Sequence, residues 1–194
     1  MTLHNKYFEI LNLFLGDLNK EIYGRELIKK VSLSQKAIAL ALNELEKEGI
    51  LKSKKEGNMK FFKLNLENTE IKDIILAAEI NRKILFLKKF RKLAHIFKKD
   101  ERTVGIFGSY AKETQKEDSD IDLFIIGEKH RKDYDIVGKS LDLNVSIKYF
   151  SEKEFISMLE NKNNLLKEIL ESHILIFGFE SFINMAWNSY YGFN

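Results

Sequence analysis

Apolar positions along the chain change period twice, and the changes divide it. Tyr7, Ile10, Leu11 and Phe14 recur at helical spacing and stop at the breakers Gly16-Asp17. A second short helix fits Gly24 to Val31, with Leu27 and Ile28 turned inward and Lys29-Lys30 outward. After the polar turn Ser32-Leu33-Ser34, the residues Ile38, Ala41, Leu42 and Leu45 form one helical stripe. That spacing predicts a helix capped by Ser34 and ended by Gly49. From Ile50 the pattern becomes strand-like: ILKS, a turn KKEGN, then MKFFKLN, with Gly57-Asn58 as the hairpin signal.

Helical spacing resumes over 67–100. Asn68 or Thr69 can cap a run with Ile71, Ile74, Ile75 and Ala78 on one side, and Leu85, Phe90, Leu93 and Phe97 extend it. A continuous helix here would be about 45 Å long, and a break near Glu79 to Asn81 fits equally well. Apolar residues on more than one side predict packing against the flanking domains or a second copy of the chain. Beyond residue 100, TVGIF predicts a short buried strand, followed by a Gly-Ser turn, a polar connection and a second strand from Asp120. The aromatic-rich end, SFINMAWNSYYGFN, is expected to pack against the body of the protein.

Composition narrows the class. The 194 residues are 44% hydrophobic and 31% charged, which fits a globular protein with a real core rather than a disordered tail. No apolar run approaches the roughly 20 residues of a membrane span, and MTLHNKYFEIL has no signal-peptide pattern, so a cytoplasmic protein without membrane contact is expected. With no Cys and with His4, His95, His130 and His173 at no ligand spacing, any metal must be held by oxygen. Charge is uneven: residues 1–100 carry 21 Lys/Arg against 13 Asp/Glu, whereas residues 101–194 carry 11 against 16. A basic half suits a polyanion, and an acidic half suits bound cations or a basic partner.

On the helix after Ser34, the outer face begins with Gln35, Lys36, Ala39 and Asn43, side chains able to enter a major groove. The run SQKAIALALNELEKEGILKSKKEGNMKFFKLN resembles the recognition helix and wing of winged helix-turn-helix domains. The resemblance implies double-stranded DNA as partner, with Ser34, Gln35, Lys36 and Asn43 facing bases and Lys52, Lys54, Lys55 and Lys60 contacting phosphates. Each lysine would otherwise be an ordinary solvated charge. The cluster Lys88, Lys89, Arg91, Lys92 either adds to a nucleic-acid surface or stays solvated.

The chemistry lies in TVGIFGSYAKETQKEDSDIDLFIIG. The pattern G-S-x10-D-x-D, Gly108-Ser109 to Asp120 and Asp122, should arise by chance in at most about one such chain in a hundred. Strand alternation puts Asp120 and Asp122 on one face, where two carboxylates repel unless a hard cation lies between them, Mg²⁺ above all. Gly108 lets backbone approach a phosphate, and Ser109 with the following N–H groups can hydrogen-bond its oxygens. At these residues the chain resembles the nucleotidyltransferase superfamily that includes DNA polymerase β, and its minimal members in particular. LDLNVSIKYFSEKEF is similar to that family's third strand and next helix, and LLKEILESHILIFG to a closing helix and strand.

The resemblance implies transfer of a nucleoside monophosphate from an NTP, ATP by preference, to an acceptor hydroxyl, with Mg²⁺ or Mn²⁺ as cofactor. Asp120 and Asp122 would bind metal and Gly108 and Ser109 the phosphates, with Lys112 and Lys116 either assisting or staying exposed. The family's third carboxylate, both catalytic and metal-binding, would be Asp142 on a strand from Leu141 to Phe150; another register of that strand puts Ser146 in the slot. Family members acting as antitoxins make a helical partner toxin a candidate acceptor, and operator reading implies a homodimer. The expected architecture is α+β: a winged helix over 1–66, a helical linker over 67–100, and a nucleotidyltransferase domain over 101–194 with a mixed β-sheet. The rival reading is a DNA-binding regulator whose second domain holds a nucleotide or a partner without turnover.

Overall fold

The computed structural model describes residues 5–131 and 133–192; His4 and the last two residues of the aromatic end lie outside them. The architecture is α+β, with helices and two separate sheets. The chain divides into two units, Met1–Ala78 and Glu79–Asn194.

In the first unit, helix α1 covers Asn5–Leu11, shorter than the apolar spacing predicts. Phe14 and Leu15 are still buried, carried inward by successive turns instead of helix. Strand β1 is Ile22–Tyr23, and the expected second helix is a 3₁₀ segment over Gly24–Lys29. Helix α2, Gln35–Lys47, buries the stripe Ile38, Ala41, Leu42 and Leu45. Ser34 caps it, its Oγ accepting from the Ala37 N–H at 3.3 Å, and Gly49 ends it at φ +70, the left-handed conformation glycine adopts without a Cβ penalty. Strands β2 (Leu51–Glu56) and β3 (Met59–Leu64) form the hairpin around Gly57-Asn58, and β1 adds to its other edge in the order β1-β3-β2.

Helix α3, Ile71–Lys89, runs unbroken through Glu79 to Asn81, because Ala77, Ala78 and their neighbours include no helix breaker. It is about 28 Å long and ends where Phe90 leaves helical geometry; α4, Arg91–Ala94, follows.

The second unit is built on strands β4 (Thr103–Phe107), β5 (Ile121–Ile126), β6 (Val145–Phe150) and β7 (Ile174–Phe177), ordered β6-β5-β4-β7. Only β5 and β6 are parallel, joined through α6 (Tyr134–Lys139), so the sheet is mixed. Period-2 alternation on β5 divides the core. Ile121, Leu123 and Ile125 join Phe86, Leu93, Ile96 and Tyr134 on one face. Phe124 and Ile126 pack on the other with α7 (Glu152–Glu160), α8 (Asn164–Glu171) and α9 (Phe179–Met185). Phe124 stacks on Phe155, and the aromatic end packs inward through Phe182, Met185 and Ala186. His173, between α8 and β7, is buried with its Nε2 3.1 Å from Glu79 Oε1.

One end of the sheet is tied by a buried ionic network. The Arg102 guanidinium donates to Asp100 (2.7 Å) and Asp133 (2.8 Å), while the hydroxyls of Tyr134 and Tyr149 donate to Asp100 and Asp133. Burial alone would raise both carboxyls, but hydrogen bonds from Arg102 and the tyrosines outweigh it and hold each at about 2. Among the described residues, no helix is long and apolar enough to cross a membrane.

The network sets an acid limit. Because the folded values of about 2 lie below the ordinary 3.8, its stabilisation is complete above about pH 4 and is lost as pH falls toward 2. Acid titration followed by far-UV circular dichroism is expected to show the second unit unfolding in that window. Asp133→Asn should lower stability at neutral pH by about 3–5 kcal/mol by leaving Arg102 half-paired.

Candidate active site at the strand ends

Strand β4 ends at Phe107, which pairs with Asp122 of β5. The next residue, Gly108, has φ +68 and opens a single helical turn, α5 (Gly108–Ala111). A Cβ on Gly108 would lie 2.5 Å from Asp122 Oδ2, so only glycine lets the turn lie against this carboxylate. The turn is closed by Lys112 N–H to Gly108 O at 3.1 Å and Thr114 N–H to Ser109 O at 2.9 Å. Pairing of β4 with β5 therefore joins the two halves of the G-S-x10-D-x-D pattern.

Asp120 immediately precedes β5, two positions from Asp122. Partial burial raises the Asp122 carboxyl above its usual range, the Asp120 charge raises it further, Lys148 on β6 pulls it down, and Glu168 on α8 adds a smaller push upward. Negative charge thus accumulates where a cation would relieve it. Two aspartates with a neighbouring serine hydroxyl are hard oxygen donors, and they fit one Mg²⁺ or Mn²⁺. Among the described residues no group of three or more His, Asp or Glu that could hold a metal ion is found.

For the third position, the register is the alternative one, with Ser146 in the slot. In the parallel pair β5–β6, Asp122 lies beside Ser146, and Ile121 N–H bonds Asn144 O at 2.9 Å. Asp142 is outside the strand, exposed in a turn at φ 52. The strand begins at Val145, not Leu141, because the end of α6 captures the chain: the N–H groups of Leu141 and Leu143 both bond Gly138 O, at 2.9 and 3.0 Å. Lys148, on the same face as Ser146, was legible from strand alternation. Glu168 was not, because only the packing of α8 brings it near.

Lys112 lies at the end of α5, its Nζ donating to Glu168 Oε1 at 2.6 Å on a half-exposed surface. The Lys116 N–H is bonded by Ser119 Oγ at 2.8 Å, which shapes the loop leading to Asp120.

In the first unit, Gln35, Lys36 and Asn43 are exposed on α2, and the Ser34 Oγ serves the helix cap. Gln35 and Asn43 also line a pocket of about 270 Å³ with Tyr23, Ile28, Leu42 and Phe62. Three of the four hairpin lysines are already paired: Lys52 with Glu67, Lys54 with Glu21 and Glu56, and Lys60 with Glu46. Lys55 is exposed near the tip, with no ionic partner among the described residues.

Gly108→Ala tests the contact with Asp122. The added methyl meets the carboxylate in a left-handed conformation that itself costs about 1–2 kcal/mol. A drop of at least that size is expected in chemical denaturation of the second unit.

No curated protein and no solved structure matches this chain. Residues 91–181 match the family model described as Polymerase beta, Nucleotidyltransferase, and that match, spanning both the Gly108-Ser109 turn and the Asp120/Asp122 pair, supports placing this part of the chain in the nucleotidyltransferase superfamily.

Proposed function

We propose that the second unit transfers a nucleoside monophosphate from an NTP, ATP by preference, to an acceptor hydroxyl. The observation that carries this reading is the joining of the Gly108-Ser109 turn to Asp120 and Asp122 by the Phe107–Asp122 pair. Asp120 and Asp122 would hold Mg²⁺ or Mn²⁺, which supplies charge neutralisation at the triphosphate when bound. The Gly108-Ser109 turn would hold phosphate oxygens, and Lys112 would exchange Glu168 for a phosphate at little cost, since an exposed ion pair is worth about 0–1 kcal/mol. The acceptor oxygen attacks the α-phosphorus, the bond from that phosphorus to the bridging oxygen breaks, and pyrophosphate leaves with the electron pair. The hydroxyl proton goes to water, because the position beside Asp122 is Ser146 rather than a carboxylate.

The same serine favours a second reading: a site that binds the nucleotide and turns it over slowly or not at all. In either case the first unit is proposed to be a winged helix that binds double-stranded DNA, with the exposed Gln35, Lys36 and Asn43 of α2 toward the bases and Lys55 at the hairpin tip toward phosphate.

Label transfer and pyrophosphate release with each α-labelled NTP and Mg²⁺ decide between these readings. Transfer by the wild type, abolished in Asp120→Asn, establishes the transferase. Metal-dependent nucleotide binding without transfer establishes the second reading. Ser146→Asp is then expected to raise transfer tenfold or more, since a positioned base contributes about 10²–10⁴ in rate. For the first unit, Lys36→Ala/Lys55→Ala is expected to weaken duplex DNA binding at least fivefold and to flatten its salt dependence by about two units of slope, measured by fluorescence anisotropy.

A further inference from the structure

Helix α3 carries apolar side chains where a surface helix normally carries polar ones. Ile71, Ile75, Ala78 and Phe86 are buried along one side of it. With about 3.6 residues per turn, the opposite side is centred on Asp73, Ala77, Ile80, Ile84 and Lys88. There Ile80 is 41% and Ile84 45% exposed, and Leu85 on the flank is 51% exposed. A single exposed isoleucine is ordinary, but three large aliphatic side chains within six residues of one helix form a patch. Positions 73, 77, 80 and 84 follow one another in steps of four, three and four, the spacing of a seam between two helices.

The two ends of this face carry opposite charge. Glu70 and Asp73 lie at its start, and Lys88, Arg91 and Lys92 at its end, all of them exposed. From Ile80 to Lys99 the chain has eight Lys/Arg and no acidic residue, and the basic end continues past Phe90, whose ring lies 5.6 Å from that of Tyr110 in the turn after Gly108. A helix dipole favours that order of charges, but it gives no reason for isoleucines between them. A second copy of the same helix, laid antiparallel, accounts for both. With the two-fold axis midway between Ile80 and Ile84, Ile80 of each copy packs against Ile84 of the other. Asp73 of each copy then lies three residues, about 4.5 Å along the axis, from the other's Lys88, within reach of that long side chain. A parallel copy would set Asp73 beside Asp73 and Lys88 beside Lys88, and like charges repel. The face is therefore complementary to itself in the antiparallel direction.

We infer that the face of α3 formed by Asp73, Ala77, Ile80, Ile84 and Lys88 is an interaction surface whose partner is a second copy of this chain, bound antiparallel about a two-fold axis. Burial of Ile80 and Ile84 supplies the attraction, and the Asp73–Lys88 pairs at the two ends set the direction. The pairing uses no residue of the Gly108–Asp122 site and does not rest on the nucleotidyltransferase reading.

Sedimentation equilibrium of the full chain from about 1 to 100 µM, the range in which a small interface dissociates, should show a reversible monomer–dimer equilibrium. Ile80→Gln/Ile84→Gln, whose glutamines suit a helix, should weaken the dimer about thirtyfold or more with the far-UV circular dichroism unchanged. Ile136→Gln, which removes an exposed isoleucine of α6, should leave the equilibrium as it is. Asp73→Lys and Lys88→Glu, each alone, turn both end pairs from attractive to repulsive and should weaken the dimer about fivefold. Asp73→Lys/Lys88→Glu restores both pairs with the signs exchanged and should return to within about twofold of the wild type. The helix dipole opposes each of these two changes, so only the pairing predicts recovery in the double variant. The charge variants keep the apolar face and decide the matter even where the glutamine variant loses helix. A chain that stays monomeric throughout, an equal loss in Ile136→Gln, single charge variants that match the wild type, or a double variant no better than the singles overturns the pairing.

Discussion

The site depends on one contact, the Gly108 backbone lying against the Asp122 carboxylate. Antiparallel pairing of β4 with β5 sets Phe107 opposite Asp122, and the left-handed glycine then turns the chain over that carboxylate. Any side chain at position 108 would occupy the space of the Asp122 oxygen. This contact brings the Gly108-Ser109 turn against Asp122, although ten residues of chain separate the turn from Asp120 and twelve from Asp122. The two cores on either face of β5 hold that register: a one-residue slip would move Phe124 and Leu123 to the opposite faces.

Around the contact, charge is distributed by function more than by chain position. Asp120, Asp122 and Glu168 concentrate negative charge at the strand ends, and partial burial, with the Asp120 charge added to it, makes Asp122 hold its proton more tightly than an ordinary carboxyl. At the other end of the sheet, Asp100 and Asp133, also taken partly or wholly out of water, behave in the opposite way, because Arg102 lies between them. The same residue type is thus a structural tie in one place and a candidate cation ligand in the other, and the difference is the presence of a fixed guanidinium. Beside the site, the acid-free stretch from Ile80 to Lys99 presents positive charge.

Some of this was legible in the residues. The α2 stripe, its Ser34 cap, the Gly49 stop and the Gly57-Asn58 hairpin follow from local periodicity and turn chemistry, and the structure shows each of them. Of the two aspartates, Asp122 lies on β5, where strand alternation is a local rule, and Asp120 precedes the strand. Asp142 lies outside β6 because the end of α6 competes for the backbone that would otherwise extend the strand, with Gly138 packed closely on Val145. The α3 boundary was ambiguous because apolar residues on several sides blur the helical period; it ends at Phe90, ten residues later than the candidate break.

By itself, the sequence determined the α+β class, the separate helical and strand segments, and the presence of Asp120 and Asp122 two positions apart in a chain without cysteine. These depend on periods of two to four residues, on turn formers and on side-chain type, all of them local. Tertiary structure alone decided that Ser146 lies beside Asp122, that Glu168 approaches the site, that three hairpin lysines are paired, and that the basic stretch belongs to the second unit. Each of these is a relation between residues distant in sequence. Packing of cores and strand register set such distances, and no local pattern encodes them.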